Sequence, residues 1–194
     1  YKGVLAQRMV GYFEAIDADL TAADLAKHSG EWVEPRGVDY HGVTLWELPP
    51  NGQGFAALMM LNIIKQADTA TMERGSPELF HLMVEAKRLA FEAMAQTFAD
   101  PNFADIPVEE LLSAEFAKAQ FARINSDSVL TAEALAVPLE GEGDTTYLTV
   151  ADESGMMVSL IQSNYRGMGS GLVPKGLGFM LQDRGEWFSL DPQH

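Results

Sequence analysis

Apolar residues recur with two different periods along the chain, and the change of period divides it into two parts. From Val4 to Ala18 they return every three or four positions, which predicts an amphipathic helix. After residue 144 they alternate with polar residues, which predicts strands. Further helices are predicted over residues 22–27, 55–64, 77–98 and 108–124, and a hairpin over residues 32–48. The pattern therefore predicts an α+β chain, with helices mostly before residue 144 and antiparallel strands after it.

The strands after residue 144 form a predicted β-hairpin whose register can be counted from its turn. Two alternating runs flank Glu153-Ser154-Gly155, and a three-residue loop with glycine in the left-handed position is a common hairpin connection. This loop pairs Asp152 with Met156 and, counted back, Thr145 with Ser163. We expect the two hydroxyls to approach hydrogen-bond distance. A further strand is predicted over residues 177–181.

An acidic segment leads into this hairpin. No Lys or Arg occurs between Arg123 and Arg166, whereas Asp and Glu accumulate there together with glycines. Such a segment buries little apolar surface, so we expect a loosely held, exposed loop over about residues 125–144. Cleavage between Asp144 and Thr145 would create an N-terminal threonine, whose own α-amino group can activate its hydroxyl as a nucleophile. The alternative is that two β-branched residues simply open a strand.

Composition and charge narrow the classes of function. The 194 residues suffice for a substantial core, and 47% of them are hydrophobic. The formal charge of −15 disfavours nucleic acid and anionic membranes as partners, and no apolar run approaches the length of a membrane helix. Without cysteine there is no disulfide, thiolate metal site or cysteine nucleophile. The chain starts without Met and stops abruptly, so we expect a fragment of a longer protein, and the cellular compartment stays open.

Two other patterns have features of binding sites. The glycine-containing turn over residues 49–54, before a helix, can bind an anion or be a plain strand-to-helix turn, and the plain turn is favoured. His81 and Glu85 have the spacing of two metal ligands on one helix face, but no third ligand is suggested. We interpret them as a solvated or packing pair and predict neither a metal nor a cofactor. The glycine-rich loop over residues 165–174 is expected to wrap a small site beside Thr145.

After residue 144 the motifs follow in the order Thr-Thr, a strand, Asp-x-x-Gly, a second strand and then Gly-Ser-Gly. This order resembles that of the γ-glutamyltranspeptidase family (γ-glutamyltransferase, glutathione hydrolase) of N-terminal nucleophile hydrolases. The resemblance covers essentially the whole chain, and the residues that carry it are Leu20-Thr21-x-x-Asp24-Leu25, Tyr40-x-Gly42, Pro49-Pro50, Leu61-Asn62-Ile63, His81-Leu82, Glu85-Ala86, Leu89-Ala90-Phe91, Asp100-Pro101, Thr145-Thr146, Asp152 with Gly155, and Gly169-Ser170-Gly171.

The resemblance implies an αββα sandwich and autocatalytic cleavage before Thr145. Residues 1–144 would be the C-terminal part of a large subunit, and residues 145–194 the N-terminal part of a small subunit, the two forming a heterodimer. Thr145 would attack γ-glutamyl amides such as glutathione and pass the acyl group to water or an amino acid. Ser163 stands where the family usually has a threonine that hydrogen-bonds the nucleophile. The family's carboxylate-binding arginine and oxyanion hole would lie outside this chain, so the chain alone should be inactive.

Three positions depart from the pattern of the family at the expected substrate-binding site. Tyr165 stands where transpeptidases commonly have Asn, and Arg184 and Trp187 stand where acidic or amide side chains usually hold the glutamyl amino group. A cation there favours an acyl group without the amino function, as in the related cephalosporin acylases, which act on glutaryl-type groups. Alternatively, Arg184 pairs with Asp183 or Glu186 and Trp187 packs, or the protein is a non-catalytic homologue. Tyr147, where the family often has His, is expected to be scaffold.

Overall fold

The computed structural model describes residues 1–130 and 143–191, and these residues form two compact units. One unit contains residues 1–30 and 143–191, and the other contains residues 31–130. Most of the predicted acidic loop, residues 131–142, lies outside the described residues. Helices and strands are both present, so the predicted α+β class is confirmed. Within the described ranges, no helix is long and apolar enough to cross a membrane.

Two short helices begin the first unit. Helix α1 spans Val4–Ala15 and buries Ala6 and Phe13, and helix α2 spans Ala22–Lys27. The predicted start of α2 is confirmed, because the Thr21 hydroxyl accepts from the backbone N–H of Asp24 while the Asp24 carboxylate accepts from that of Thr21. These contacts satisfy two amide groups that the first turn of a helix leaves unpaired. The hydrogen bonds from Thr21 also lower the pKa of Asp24.

The second unit opens with the predicted hairpin. Strand β1 spans Arg36–Tyr40 and pairs antiparallel with β2, Val43–Glu47. The two turn residues, His41 and Gly42, have φ angles of 52° and 84°, as a two-residue hairpin turn requires. The first strand begins only after Pro35, since proline cannot donate to the ladder of a sheet.

Helices α3 and α4 hold the core of the second unit. Helix α3 is confirmed over Phe55–Ile64, and α4 spans Pro77–Thr97 with the Ser76 hydroxyl capping its first turn. Helix α3 is apolar on nearly all sides, as expected for a helix surrounded by other elements. The buried side chains form two clusters, one of Val38, Phe55, Ala56, Leu58, Met59, Ala90, Ala93, Met94 and Leu111, and one of Ile63, Ile64, Leu82, Ala86 and Leu89.

The single helix predicted over residues 108–124 is wrong. The structure has two helices, α5 over Val108–Leu111 and α6 over Ala114–Phe121. Ser113 interrupts them: its backbone is extended, and its hydroxyl accepts from the backbone N–H of Phe116 at 3.0 Å. Serine at a helix interior competes for backbone groups in this way. The amide of Asn62 on α3 donates to the carbonyl of Leu112 at 3.0 Å, so the break also creates a tertiary contact.

The last two strands form the predicted second hairpin. Strand β3 spans Gly143–Ala151 and pairs antiparallel with β4, Met157–Arg166. The prediction of a strand over residues 177–181 is wrong, because the structure has no strand there. Gly176 and Gly178 have φ angles of 77° and 72°, which interrupt extended backbone. Two single-turn 3₁₀ helices, Thr69–Thr71 and Arg184–Trp187, complete the described elements.

The expectation of a loosely held segment after residue 124 is wrong for its described part. Asn125 and Ser128 form an isolated β-bridge, and Leu130 is hydrogen-bonded to helix α4 through both of its backbone groups. Residues 125–130 are therefore bound to the second unit. Of the rest of the predicted loop, residues 131–142 lie outside the described residues, and residues 143–144 belong to strand β3 instead.

The break at Ser113 predicts a measurable loss of stability. Replacing Ser113 with Ala removes the cap of α6 and should lower the free energy of unfolding by about 1 kcal/mol. Asp is an equally good capping residue, so Ser113→Asp should retain most of the stability. Chemical denaturation of both variants checks this, and equal stability of Ser113→Ala and the unchanged protein would contradict the role given to the cap.

Candidate active site

The register of the second hairpin sets two hydroxyls side by side. Thr145 pairs with Ser163, and the ladder continues in the same register to Ala151 and Met157. The Thr145 Oγ1 and Ser163 Oγ atoms are 2.8 Å apart. Both the predicted register and the predicted approach of the side chains are confirmed. The catalytic role of these residues remains a prediction.

The turn of the hairpin explains why this register forms. Gly155 has a φ of 85°, as expected for the left-handed position of a three-residue loop. One carboxylate oxygen of Asp152 accepts from the backbone N–H of Ser154 at 2.9 Å, from its hydroxyl at 2.6 Å and from the N–H of Met156 at 3.1 Å. The Ser154 hydroxyl, followed by the Met156 N–H, lowers the pKa of Asp152. The turn thus fixes the alignment of both strands.

A β-bulge lies next to Thr145. Gly143 pairs with Arg166, whereas Thr145 pairs with Ser163, so one residue of β3 faces two residues of β4, Asn164 and Tyr165. Tyr165 has a φ of 79°, which is uncommon for a bulky residue. This conformation directs its backbone N–H to Ser163 Oγ at 2.9 Å. Bulges and strained residues are frequent beside active sites, because they redirect side chains there.

Arg184 and Tyr165, two of the predicted substrate-binding residues, lie together. The Arg184 guanidinium carbon is 4.7 Å from the centre of the Tyr165 ring, within the range of cation–π contacts. Trp187 ends the same 3₁₀ turn that Arg184 begins. Glu186, the other partner suggested for Arg184, instead forms an ion pair with Arg166 at 2.8 Å.

The turn that carries Arg184 is attached to the end of β4 at several points. Asp183 accepts from the backbone N–H of Arg166 at 3.3 Å and donates its own N–H to the carbonyl of Asn164 at 3.4 Å. The sequence offered Glu186 as a possible partner of Arg184, but in the structure Glu186 pairs with Arg166, and this pair holds the turn. Their opposite charges are visible in the sequence, but only the folded loop reveals that they meet.

The glycine-rich loop packs against the backbone of residue 181. Ser170 donates both its N–H and its hydroxyl to the carbonyl of Leu181, each at 2.9 Å. Gly169 approaches the same carbonyl so closely that a Cβ atom would collide with it, whereas Gly171 has open space around it. Both glycines have positive φ angles, 56° and 70°. The Gly-Ser-Gly motif therefore has a definite packing role in this loop.

The anion-binding and metal-binding interpretations gain no support. The carboxylate of Glu47 lies against Gly54 at the start of α3, so the chain places its own anion beside that turn. His81 contacts the carbonyl of Asn125 at 2.8 Å, and Glu85 is fully buried and bonded to Arg88 and Leu130. Glu85 is thus a buried packing group rather than a solvated one. Among the described residues, no three His, Cys, Asp or Glu side chains cluster closely enough to hold a metal ion.

Comparison with known proteins identifies the class first. The structural neighbours of this α+β chain are N-terminal nucleophile hydrolases, which confirms the predicted fold. Within that class, the sequence profile described as gamma-glutamyltranspeptidase matches residues 1–194, and the chain belongs to this family.

Three similar proteins illustrate the range of the family. The chain is 40% identical over its whole length to the glutathione hydrolase-like YwrD proenzyme of Bacillus subtilis, of which it covers 36%. It is 35% identical, again over its whole length, to the oxamate amidohydrolase proenzyme of Klebsiella pneumoniae, of which it also covers 36%. The crystal structure of cephalosporin acylase from Bacillus halodurans superposes with a TM-score of 0.87 at 42% identity, covering all of this chain and 34% of that one. The chain thus spans about a third of the length of these relatives.

The two glycines of the Gly-Ser-Gly motif provide a matched test of the loop. Gly169→Ala should disturb the loop, because the new Cβ meets the backbone carbonyl of Leu181 and the φ is also unfavourable. Gly171→Ala suffers only the unfavourable φ. We expect Gly169→Ala to lower the thermal midpoint clearly more than Gly171→Ala does. Equal shifts, measured by calorimetry, would contradict the close contact with Leu181.

Proposed function

We propose that the protein containing this chain is a self-processing amidohydrolase or acyltransferase with Thr145 as its nucleophile. The observation that carries the proposal is the 2.8 Å contact between Thr145 Oγ1 and Ser163 Oγ at the start of β3. Membership of the γ-glutamyltranspeptidase family supports it, and several relatives are named proenzymes. In this proposal residues 1–144 end the large subunit and residues 145–194 begin the small one, and the two subunits form a heterodimer.

The proposed first reaction is cleavage of the chain before Thr145. The Thr145 hydroxyl oxygen attacks the carbonyl carbon of Asp144, and the peptide C–N bond breaks as a C–O ester bond forms. The hydroxyl proton passes to the departing nitrogen, which becomes the α-amino group of Thr145. Water then hydrolyses the ester, leaving a carboxylate on Asp144 and the free hydroxyl on Thr145. Ser163 positions that hydroxyl and is itself held by the N–H of Tyr165.

The mature enzyme would use the same hydroxyl on an external amide. The free α-amino group of Thr145 accepts the hydroxyl proton as Oγ1 attacks the γ-glutamyl carbonyl carbon, and the leaving amine takes that proton as its C–N bond breaks. Water or an amino acid then attacks the acyl ester and regenerates Thr145. This sequence converts a γ-glutamyl amide such as glutathione into a free acid or a new γ-glutamyl amide.

The proposed cleavage is tested on the full-length protein by mass spectrometry. Thr145→Ala should remain a single chain, while the unchanged protein separates into two chains between Asp144 and Thr145. Ser163→Ala should slow the cleavage about 10²-fold, the loss that misplacing a reacting group by about 1 Å can cause. Ser163→Thr retains a hydroxyl and serves as the matched control.

Two outcomes would contradict this assignment. An unchanged protein that stays intact after long incubation would indicate a non-catalytic homologue. Cleavage of Thr145→Ala at the normal rate would exclude Thr145 as the attacking group.

The charges beside Tyr165 support a second candidate for the acyl group. The Arg184 and Arg166 guanidinium carbons lie 4.7 Å and 5.8 Å from the centre of the Tyr165 ring. Glu186 neutralises Arg166, so among the described residues we assign the charge of this site to Arg184. A cation at this place suits a carboxylate and repels the amino group of a γ-glutamyl substrate. Similar proteins named oxamate amidohydrolase and cephalosporin acylase are consistent with such specificity. We therefore propose glutaryl-type acyl groups, which carry a carboxylate and no amino group, as the alternative substrates.

A pair of chromogenic substrates distinguishes the two acyl groups. On cleaved full-length enzyme, a γ-glutamyl-specific site gives γ-glutamyl anilide the higher kcat/KM, whereas an Arg184 that binds the acyl carboxylate gives glutaryl anilide the higher value. Arg184→Gln should raise the KM for glutaryl anilide about tenfold or more, because a charged hydrogen bond is lost. Lys175→Gln, which removes another cation of the same glycine-rich region, is the control. Equal kcat/KM values for both anilides would remove the basis for assigning this role to Arg184.

A further inference from the structure

A stripe of polar side chains on helix α4 binds the chain that follows α6. The residues recur at helical spacing, so they share one face of α4: His81, Glu85, Arg88 and Glu92. His81 contacts the carbonyl of Asn125 at 2.8 Å, and Glu92 pairs with Arg123 at 2.8 Å. The two central residues both act on Leu130. The described chain is thus fastened along α4 from residue 123 to residue 130.

Glu85 and Arg88 bind both backbone groups of Leu130. The N–H of Leu130 donates to Glu85 Oε2 at 2.7 Å, and Arg88 Nη1 donates to the carbonyl of Leu130 at 2.8 Å. Arg88 Nη1 also donates to Glu85 Oε1 at 3.1 Å, which joins the three residues in one network. The Leu130 side chain packs against the cluster that contains Leu82 and Leu89.

The burial of Glu85 makes this anchor stronger than a surface contact. Glu85 is 0% exposed, and no buried polar side-chain atom of the described residues lacks a hydrogen-bond partner. A buried carboxylate is retained only when charge and hydrogen bonds compensate its lost hydration, and here Arg88 and the N–H of Leu130 supply that compensation. Removing Leu130 from Glu85 would leave one carboxylate oxygen without its partner, so the contact resists opening.

We propose that Glu85 and Arg88 are positioning residues for the cleavage before Thr145, because they fix the chain at Leu130 upstream of the bond that breaks. This inference rests on the proposed function. Without the anchor, the last residue bonded to α4 becomes Asn125, and the connection to Thr145 lengthens from residues 131–144 to residues 126–144. Closing a chain lengthened to this extent is about 1.6-fold less favourable by loop entropy. The positioning role assigned here gives neither residue a part in turnover by the mature enzyme.

The test compares cleavage, turnover and local protection in the full-length protein. Glu85→Gln and Arg88→Met should each reduce the hydrogen-exchange protection of the Leu130 amide at least tenfold and slow cleavage about 1.6-fold. The kcat and KM of the enzyme, once cleaved, should stay unchanged. The double variant Glu85→Gln/Arg88→Met removes both charges together and avoids an unpaired buried carboxylate, so it keeps the test available if a single variant fails to fold. Glu92→Gln, which breaks only the exposed pair with Arg123, is the control on the same helix face.

The possible results of this experiment separate the proposed function from the positioning role of Glu85 and Arg88. A protein that is never cleaved refutes the proposed function and this inference with it. Normal cleavage rates in variants that have lost protection at Leu130 refute the inference alone. Unchanged protection at Leu130 shows that Glu85 and Arg88 do not hold the chain, which also refutes it. Equal losses of cleavage and of kcat/KM would indicate a general structural defect and overturn the positioning role.

Discussion

The alignment of strands β3 and β4 is the constraint on which the candidate active site depends. A shift of one residue would turn every side chain of a strand to the opposite face and separate Thr145 from Ser163. The alignment is fixed far from these hydroxyls, by the Asp152 carboxylate and the left-handed Gly155 in the turn. The bulge beside Thr145 then changes the direction of β4 and brings the N–H of Tyr165 to Ser163.

The sequence predicted the elements whose signals are local. Helix α3, the capped starts of α2 and α4 and the register of β3 with β4 all follow from periodicity, capping residues or turn residues close to one another in the chain. The resemblance to the γ-glutamyltranspeptidase family, carried by short motifs, is also confirmed. The pairing of Thr145 with Ser163 could be predicted because the length of a hairpin turn sets the register of the two strands it joins.

The errors concern features that depend on distant parts of the chain. Helical periodicity continues through Ser113, but the serine caps a new helix there and the freed carbonyl of Leu112 finds Asn62 on α3. Composition suggested a loose segment after residue 124, yet Leu130 is held by Glu85 and Arg88, more than 40 residues earlier in the chain. The ion pair of Arg166 with Glu186 likewise forms only once the intervening loop has folded back.

Tyr165 contacts Ser163 and Arg184 through two chemically independent groups. Its backbone N–H holds Ser163, while its ring supports Arg184. Every residue except proline carries that N–H, so a substitution at position 165 can alter the surroundings of Arg184 and leave the support of Ser163 in place. The positive φ limits the choice to residues that tolerate it. Under the proposed function, a change at this position can therefore shift substrate preference and leave the contact between the two hydroxyls in place.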